Sequence, residues 1–263
     1  MEFEIIDFHT HPFLTQDTNI CSHKTFCNMS VENTKIDLMN LGISRICGSV
    51  IGTSQSITEK NTEWEKLRAC NDEALLLRDM YDGFYIPGFH IHPGYIRESC
   101  EEIERMHNKN VNLVGELVPY WHGWSDYSCK EFSELLDLCE NYNMVVSFHS
   151  MGEDEMDKMV ENHKNIIFVA AHPGEYGEFM RHMERMKKSE NYYLDISGYG
   201  IFRHGMLRHA LDEFGAERFL FGSDYPTCNP AMYIGGVYFD NLISDSEKEM
   251  IFSKNTKRLL KLN

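Results

Sequence analysis

Five short segments of the sequence place a histidine or a carboxylate directly after a run of apolar residues. In the first segment His9 and His11 are two residues apart, so they face the same side if this run is a β-strand. Imidazole and carboxylate groups can bind metal ions and can transfer protons, so both kinds of chemistry are open to these segments. The residues that follow the other four runs are Glu116, His149, His172 and Asp224.

These six side chains are more informative together than singly. A lone histidine in an apolar run is more often a hydrogen-bonded core residue, and Asp224 before Tyr225-Pro226 could simply shape a turn. Burying all six around one site is unfavourable unless a cation pairs with them. Nitrogen and carboxylate donors without thiolates suit zinc, manganese or iron. The pattern therefore predicts a site for a divalent metal, with zinc as the first expectation.

The elements that carry these residues form a regular series. Eight apolar runs are predicted as buried strands, and amphipathic helical stretches lie between many of them. This alternation predicts an α/β fold, a single (β/α)8 TIM barrel with the metal site at the C-terminal ends of its strands. A doubly wound sheet is the alternative, but no G-x-G-x-x-G follows the first strand. The predicted strands are 4–8, 43–50, 84–91, 112–117, 144–148, 166–171, 192–196 and 219–221, and the predicted helices are 63–80, 130–142, 153–163, 177–188, 206–214 and 246–262, the last capped by Ser244 or Ser246.

The composition predicts one soluble globular domain, residues 1–263, because 42% of the residues are hydrophobic and 25% are charged. The net charge of −16 disfavours nucleic acid and anionic lipid as partners. No run approaches the roughly 20 apolar residues that cross a bilayer, and the N-terminus lacks the pattern of a signal peptide. The eight cysteines include no C-x-x-C pair, so they are expected to be free thiols of a cytoplasmic protein.

The order of the strand-end residues resembles the amidohydrolase superfamily. Within it, the chain is most similar to the amidohydrolase-2 branch, which includes aminocarboxymuconate semialdehyde decarboxylase. The segments 71–93 and 249–259 also resemble this branch, and the similarity extends over residues 6–262. The residues that carry the resemblance are Asp7, His9, His11, His149, His172 and Gly222-Ser223-Asp224-Tyr225-Pro226.

This resemblance implies roles for the strand-end residues. His9, His11 and His149 would be metal ligands, and Asp224 would be both a ligand and the proton acceptor. His172 would bind a second metal in binuclear members, or act as an acid or base that positions water in mononuclear ones. A homodimer would suit the family.

Glu116 departs from a common pattern, because many members of the superfamily carry a carboxylated lysine on strand four. A glutamate there resembles the metal-dependent deoxyribonucleases on the same barrel. Glu116 could bridge two metals, serve as a base, or only form hydrogen bonds inside the barrel. His90 and His92 end strand three and are expected to bind no metal. The histidines expected at the surface are His23, His107, His163, His182, His204 and His209.

The chemistry expected first is hydrolysis of an amide, ester or lactone bond in a small organic molecule. A bound metal lowers the pKa of water from about 15.7 towards 7. Asp224 would accept the proton of that water, and His172 would help polarise the substrate carbonyl. Tyr120 and Trp121, in the loop after strand four, are expected to bind substrate, and Arg203 could bind a substrate carboxylate.

Three other functions are open. The first is a metal-dependent decarboxylase, because the same branch contains such lyases. The second is a deoxyribonuclease or phosphoesterase that uses Glu116 with two metals, against which the negative charge weighs. The third is a barrel that binds a metal or a partner without catalysis.

Overall fold

Eight parallel β-strands form one sheet in the described part of the chain, which is residues 2–14, 30–52, 61–200 and 203–263. In this computed structural model each strand pairs with the next one along the chain. The ends of the sheet meet where Phe8 donates a backbone hydrogen bond to Phe221 (2.8 Å) and where Thr10 pairs with Tyr225. The predicted (β/α)8 barrel is confirmed. The strands are β1 (Ile5–Asp7), β2 (Ile43–Gly48), β3 (Tyr85–Phe89), β4 (Leu113–Leu117), β5 (Val145–His149), β6 (Ile167–Ala171), β7 (Tyr192–Asp195) and β8 (Phe219–Leu220).

Helices connect successive strands. The sequence predicted α2, α4, α5, α6, α7 and the closing helical segment, but it did not predict α1, α3 or α8. The closing segment is not one regular helix, because a π-helical turn (Met250–Lys254) separates α9 from α10. The helices are α1 (Val31–Asn40), α2 (Glu63–Tyr81), α3 (Ile96–Asn108), α4 (Lys130–Asn141), α5 (Glu153–Asn162), α6 (Tyr176–Lys188), α7 (Met206–Phe214), α8 (Pro230–Tyr238), α9 (Asp245–Glu249) and α10 (Asn255–Leu260).

Capping side chains define where two of these helices begin. The hydroxyl of Thr62 accepts the backbone N–H of Glu65, whose carboxylate accepts the N–H of Thr62 in return. Ser244 and Glu247 form the same reciprocal pair at the start of α9, so Ser244 is the cap of the closing segment. Each pair satisfies backbone donors that the first helical turn leaves without partners.

The strands separate two apolar layers. Val146 and Phe148 pack outward in the large layer shared with the helices, whereas Val145 packs in the small cluster inside the barrel. Because side chains alternate along a strand, Ser147 and His149 follow Val145 on the inner side. The last inner side chain of β5 is therefore placed at the C-terminal end of the barrel.

No helix within the described ranges is long and apolar enough to cross a membrane. The six cysteines in these ranges are free thiols, as predicted. The other two, Cys21 and Cys27, lie outside the described residues, as does His23.

Candidate metal centre

His9, His11 and Glu116 bring three potential ligand atoms together inside the barrel. The Nε2 atoms of the two imidazoles are 3.2 Å apart. They lie 3.1 Å and 3.0 Å from the same oxygen of Glu116, Oε2. All three side chains are almost fully buried. The two histidines that follow β1 and the glutamate of β4 thus meet although His11 and Glu116 are 105 positions apart in the sequence.

The Nδ1 atoms of His9 and His11 face hydrogen-bond acceptors. Nδ1 of His11 lies 2.9 Å from the backbone oxygen of Ser49, which can only accept, so this Nδ1 carries the proton. Nδ1 of His9 lies 2.9 Å from Oδ2 of Asp195. In the neutral imidazoles both Nε2 atoms therefore present lone pairs to the Glu116 carboxylate.

Three acceptors this close require a positive charge between them. Ligand atoms 2.1 Å from a tetrahedral ion are about 3.4 Å apart, near the separations of His9, His11 and Glu116. Burial lowers the pKa of His9, but the carboxylates of Glu116 and Asp195 outweigh burial and raise this pKa well above its usual value. A proton on His9 can thus supply the charge, and a divalent cation could take its place. The residues fit a metal ion.

The other oxygen of Glu116 faces a second pair of histidines. Oε1 lies 3.0 Å from Nδ1 of His149 and 3.7 Å from Nε2 of His172. Burial raises the pKa of Glu116, but the charge of His9 and hydrogen bonds from His11 and His149 hold the net pKa well below its usual value. One ionised carboxylate therefore contacts four imidazoles, two through each oxygen.

Asp224 stands at the edge of this cluster. Its Oδ1 lies 3.7 Å from Nε2 of His9 and 3.6 Å from Nε2 of His11. Its side chain is 12% exposed, against 2% for Glu116, so Asp224 is the carboxylate that solvent and substrate can reach. The backbone N–H of Asp224 donates to the oxygen of His9 at 2.8 Å, which ties the β8 loop to β1.

A pocket of about 180 Å³ opens over the cluster. The phenol ring of Tyr120 lies edge-on to His149, with ring centroids 5.2 Å apart. Trp121 also lines the pocket and is partly exposed. The structure thus brings most of the predicted site residues to one cavity. Its lining is His11, Ile51, Glu116, Val118, Tyr120, Trp121, His149, His172, Asp224 and Thr227.

Arg203 does not line this pocket. Its guanidinium pairs with Glu175, and the residue borders a separate surface cavity beside His204 and Phe239. The predicted contact between Arg203 and a substrate carboxylate therefore has no support from its position.

The His90–His92 pair also stays apart from the metal cluster. Nε2 of His92 donates to the backbone oxygen of His122 (2.9 Å), and Nδ1 accepts the N–H of Gly94 (2.9 Å). His90 donates from Nε2 to the oxygen of Val50 at 3.0 Å. Among the described residues neither histidine belongs to a possible metal group.

Asp7, two residues before His9, does not line the pocket and instead forms hydrogen bonds that stabilise the fold. Its carboxylate accepts the backbone N–H of Ser223 at 2.9 Å and the Ser223 hydroxyl at 2.6 Å. Burial raises the pKa of Asp7 to about 7 despite these hydrogen bonds. This contact joins β1 to the loop after β8 directly beneath Asp224.

Two residues at the end of β7 were missed by the sequence analysis. Asp195 contacts His9, and Ser197 lies within hydrogen-bond distance of both His9 and His172. His9, His172 and Asp195 form a further possible metal group. The signal was present, because Asp195 and Ser197 are two residues apart at a strand end, like His9 and His11.

Comparisons with solved structures support the fold. A 2,6-dihydroxybenzoate decarboxylase from Rhizobium is 16% identical, with a TM-score of 0.72, covering 98% of this chain and 99% of that one. The 5-carboxyvanillate decarboxylase of Sphingomonas paucimobilis is 13% identical, with a TM-score of 0.73 and full coverage of both chains. A dihydroxybenzoic acid decarboxylase from Polaromonas, whose structure holds manganese and an inhibitor, is 15% identical, with a TM-score of 0.71, covering 98% of this chain and 97% of that one.

The sequence comparisons establish the family. A search of curated protein sequences finds no match. The model of one protein family, described as amidohydrolase, matches residues 6–262, nearly the whole chain and the same range over which the sequence resembles the amidohydrolase-2 branch. The chain therefore belongs to the amidohydrolase-2 family.

Proposed function

We propose that this protein is a metal-dependent decarboxylase of a small hydroxylated aromatic acid. The observation that carries the proposal is the cluster of four imidazoles and two carboxylates beneath a pocket of about 180 Å³ edged by Tyr120 and Trp121. Decarboxylases of dihydroxybenzoate and carboxyvanillate have similar folds, and this supports a lyase over the hydrolase first expected from the sequence.

The metal would be held by His9, His11 and Glu116, with Asp224 close enough to contribute an oxygen. Such an ion supplies a Lewis acid that binds a carboxylate and stabilises developing negative charge. Zinc and manganese both suit this donor set, and manganese is present in one of the similar decarboxylases.

Asp224 would transfer the proton. The Asp224 carboxyl group would donate a proton to the ring carbon that carries the substrate carboxylate, so that a C–H bond forms as the C–C bond breaks and carbon dioxide leaves. Solvent then returns a proton to the carboxylate, which its partial exposure permits. The proton balance closes without an oxidant or a second substrate.

Other residues of the pocket would bind and orient the ring. Burial lowers the pKa of His172, so its imidazole is neutral at pH 7 and can accept a hydrogen bond from a substrate hydroxyl. Tyr120 and Trp121 offer aromatic surface against which a planar ring can pack. Among the described residues no lysine or arginine lines the pocket, so the metal would be the positive group available to the acid group of the substrate.

The test is product analysis with a panel of hydroxybenzoic acids and protein loaded with manganese or zinc. We expect carbon dioxide release and, in heavy water, one deuterium on the vacated ring carbon. Asp224→Asn should lower the rate by at least about 100-fold. Absence of carbon dioxide from every acid, for protein shown to hold metal, contradicts the proposal.

Hydrolysis is the second candidate, and one observation favours it. Glu116 presents one oxygen to each histidine pair, an arrangement that could hold two ions, as in many metal-dependent hydrolases. Panels of lactones, esters and amides in ¹⁸O-labelled water test this function. Incorporation of the label into a product, without carbon dioxide, would establish hydrolysis instead.

A further inference from the structure

Asp195 and Ser197 form a buried polar pair behind the histidines. Both residues have no solvent exposure. Oδ1 of Asp195 accepts the backbone N–H of Ser197 at 2.9 Å and also its hydroxyl, while Oδ2 accepts Nδ1–H of His9 at 2.9 Å. The position of every proton in this group follows from these contacts.

The serine hydroxyl has only one proton, and the short contact with Asp195 uses it. Oγ of Ser197 can then only accept from its other neighbours. Nδ1 of His172 lies 3.0 Å from this Oγ, and Nδ1 of His9 lies 2.9 Å from it. Both imidazoles must therefore carry their proton on Nδ1, and both Nε2 atoms are left free to bind a cation.

Two glycines leave room for this arrangement. A Cβ on Gly198 would lie 2.2 Å from Nδ1 of His172, and φ of Gly198 is +62°. A Cβ on Gly222 would lie 2.7 Å from Cβ of His9 and 3.2 Å from Cβ of Ser197. Side chains at either position would displace the imidazoles from the Asp195–Ser197 pair.

We propose that Asp195 and Ser197 are positioning residues that hold His9 and His172 in the Nδ1–H form. Since His9 contacts one oxygen of Glu116 and His172 faces the other, the pair orients one imidazole in each half of the centre. The proposal rests on metal binding at this site but not on which reaction follows. Groups behind ligating histidines typically change metal affinity by about 10- to 100-fold.

Two substitutions test the contact of Ser197 with His172 and the contact of Asp195 with His9 separately. Ser197→Ala removes the acceptor of His172, whereas Asp195 still accepts from His9. Asp195→Asn keeps the shape but can present an N–H₂ group to Nδ1 of His9, which favours the opposite tautomer. Ser99→Ala is the matched control, because Ser99 is a fully buried serine that bonds only the backbone of His92 in the described residues.

The readouts are the ¹⁵N shifts of the imidazole nitrogens in metal-free protein, recorded at a pH where the imidazoles are neutral, and the affinity for zinc measured against a competing chelator. We expect Ser197→Ala to change the tautomer signals of His172 but leave those of His9, and Asp195→Asn to change those of His9. Both should weaken zinc binding at least tenfold, and Ser99→Ala should change neither readout. Wild-type tautomer signals and zinc affinity in both variants would overturn the proposal. If the wild type bound no metal, the proposed function would fail, while the imidazole shifts would still test the tautomers.

Discussion

Nδ1 of His149 lies 3.0 Å from Oε1 of Glu116, while the other oxygen of the same carboxylate contacts His9 and His11, just after β1. The two halves of the centre therefore depend on one side chain. The sequence left Glu116 open between a metal ligand and a hydrogen-bonding residue, and the structure places it in the middle of the group.

Replacing Glu116 with glutamine should abolish tight metal binding. The amide keeps the shape but presents an N–H₂ group to one histidine pair, and this group cannot bind a cation. We expect the affinity for zinc or manganese to fall by about 100-fold or more. Elemental analysis after dialysis measures the bound metal per chain.

Glu102→Gln is the control for this change, because Glu102 is also a fully buried carboxylate. It pairs with Arg105 and with Asn71, away from the pocket. This variant should keep its metal even if its stability falls. Full metal content in Glu116→Gln would show that this glutamate is not a ligand.

The stability of the metal-free protein should depend on pH through His9 and Glu116. The folded pKa of His9 is raised above 6.5, so its stabilising effect is complete below about pH 6.5 and is lost as the pH rises through the folded pKa. The pKa of Glu116 is lowered from 4.5, so its effect is complete above about pH 4.5 and is lost as the pH falls through the folded pKa. Between about pH 4.5 and about pH 6.5 both His9 and Glu116 therefore stabilise the metal-free protein fully.

Melting temperatures of the metal-free wild type and Glu116→Gln measure this effect. As the pH falls from about 9 to about 6, the difference between them should shift in favour of the wild type. Stabilisation by added metal should show the opposite trend and grow with pH, because metal and protons compete for the same nitrogens. A pH-independent difference between the two metal-free proteins would contradict this assignment of charges.

The barrel could be predicted because the sequence pattern of each strand and of most helices lies within one short stretch of the chain. Apolar runs and amphipathic segments alternate regularly, and each strand-end motif follows its run directly. Helix α8 was missed because Gly235 and Gly236 lie within it, and both weaken a helical pattern. The exact start of the closing segment also depended on a choice between two serines, which the hydrogen bonds of Ser244 resolve.

Long-range contacts of residues outside the five strand-end motifs could not be predicted. Asp195, for example, contacts the imidazole of His9, which is 186 positions away in the sequence. His182 and His163, expected at the surface, are buried instead. Nδ1 of His182 pairs with the hydroxyl of Tyr192, and Nε2 of His163 pairs with that of Ser133. A helix position alone does not reveal such a partner on another element.

The aromatic edge of the pocket should determine affinity for substrate more than the rate of reaction. Trp121 is 39% exposed, so Trp121→Ala should leave stability nearly unchanged while raising KM for an aromatic substrate about tenfold. Steady-state kinetics measure both constants. Arg203→Ala is the comparison, and it should leave KM unchanged because Arg203 pairs with Glu175 outside the pocket. A large rise in KM for Arg203→Ala would restore the role predicted from the sequence.

Asn71 should stabilise the barrel by holding β3 against α2. Its Oδ1 accepts the N–H of His90 at 2.7 Å, and its Nδ2 donates to the oxygen of His90 (3.0 Å) and to Glu102 (2.9 Å). Asn71→Ala leaves these buried groups without partners, so we expect it to lower the free energy of unfolding by about 2–4 kcal/mol. Urea denaturation measures this change. Asp72→Ala, at the neighbouring and more exposed position, should cost less than about 1 kcal/mol. Equal effects of the two substitutions would show that the contacts of Asn71 with His90 do not stabilise the fold.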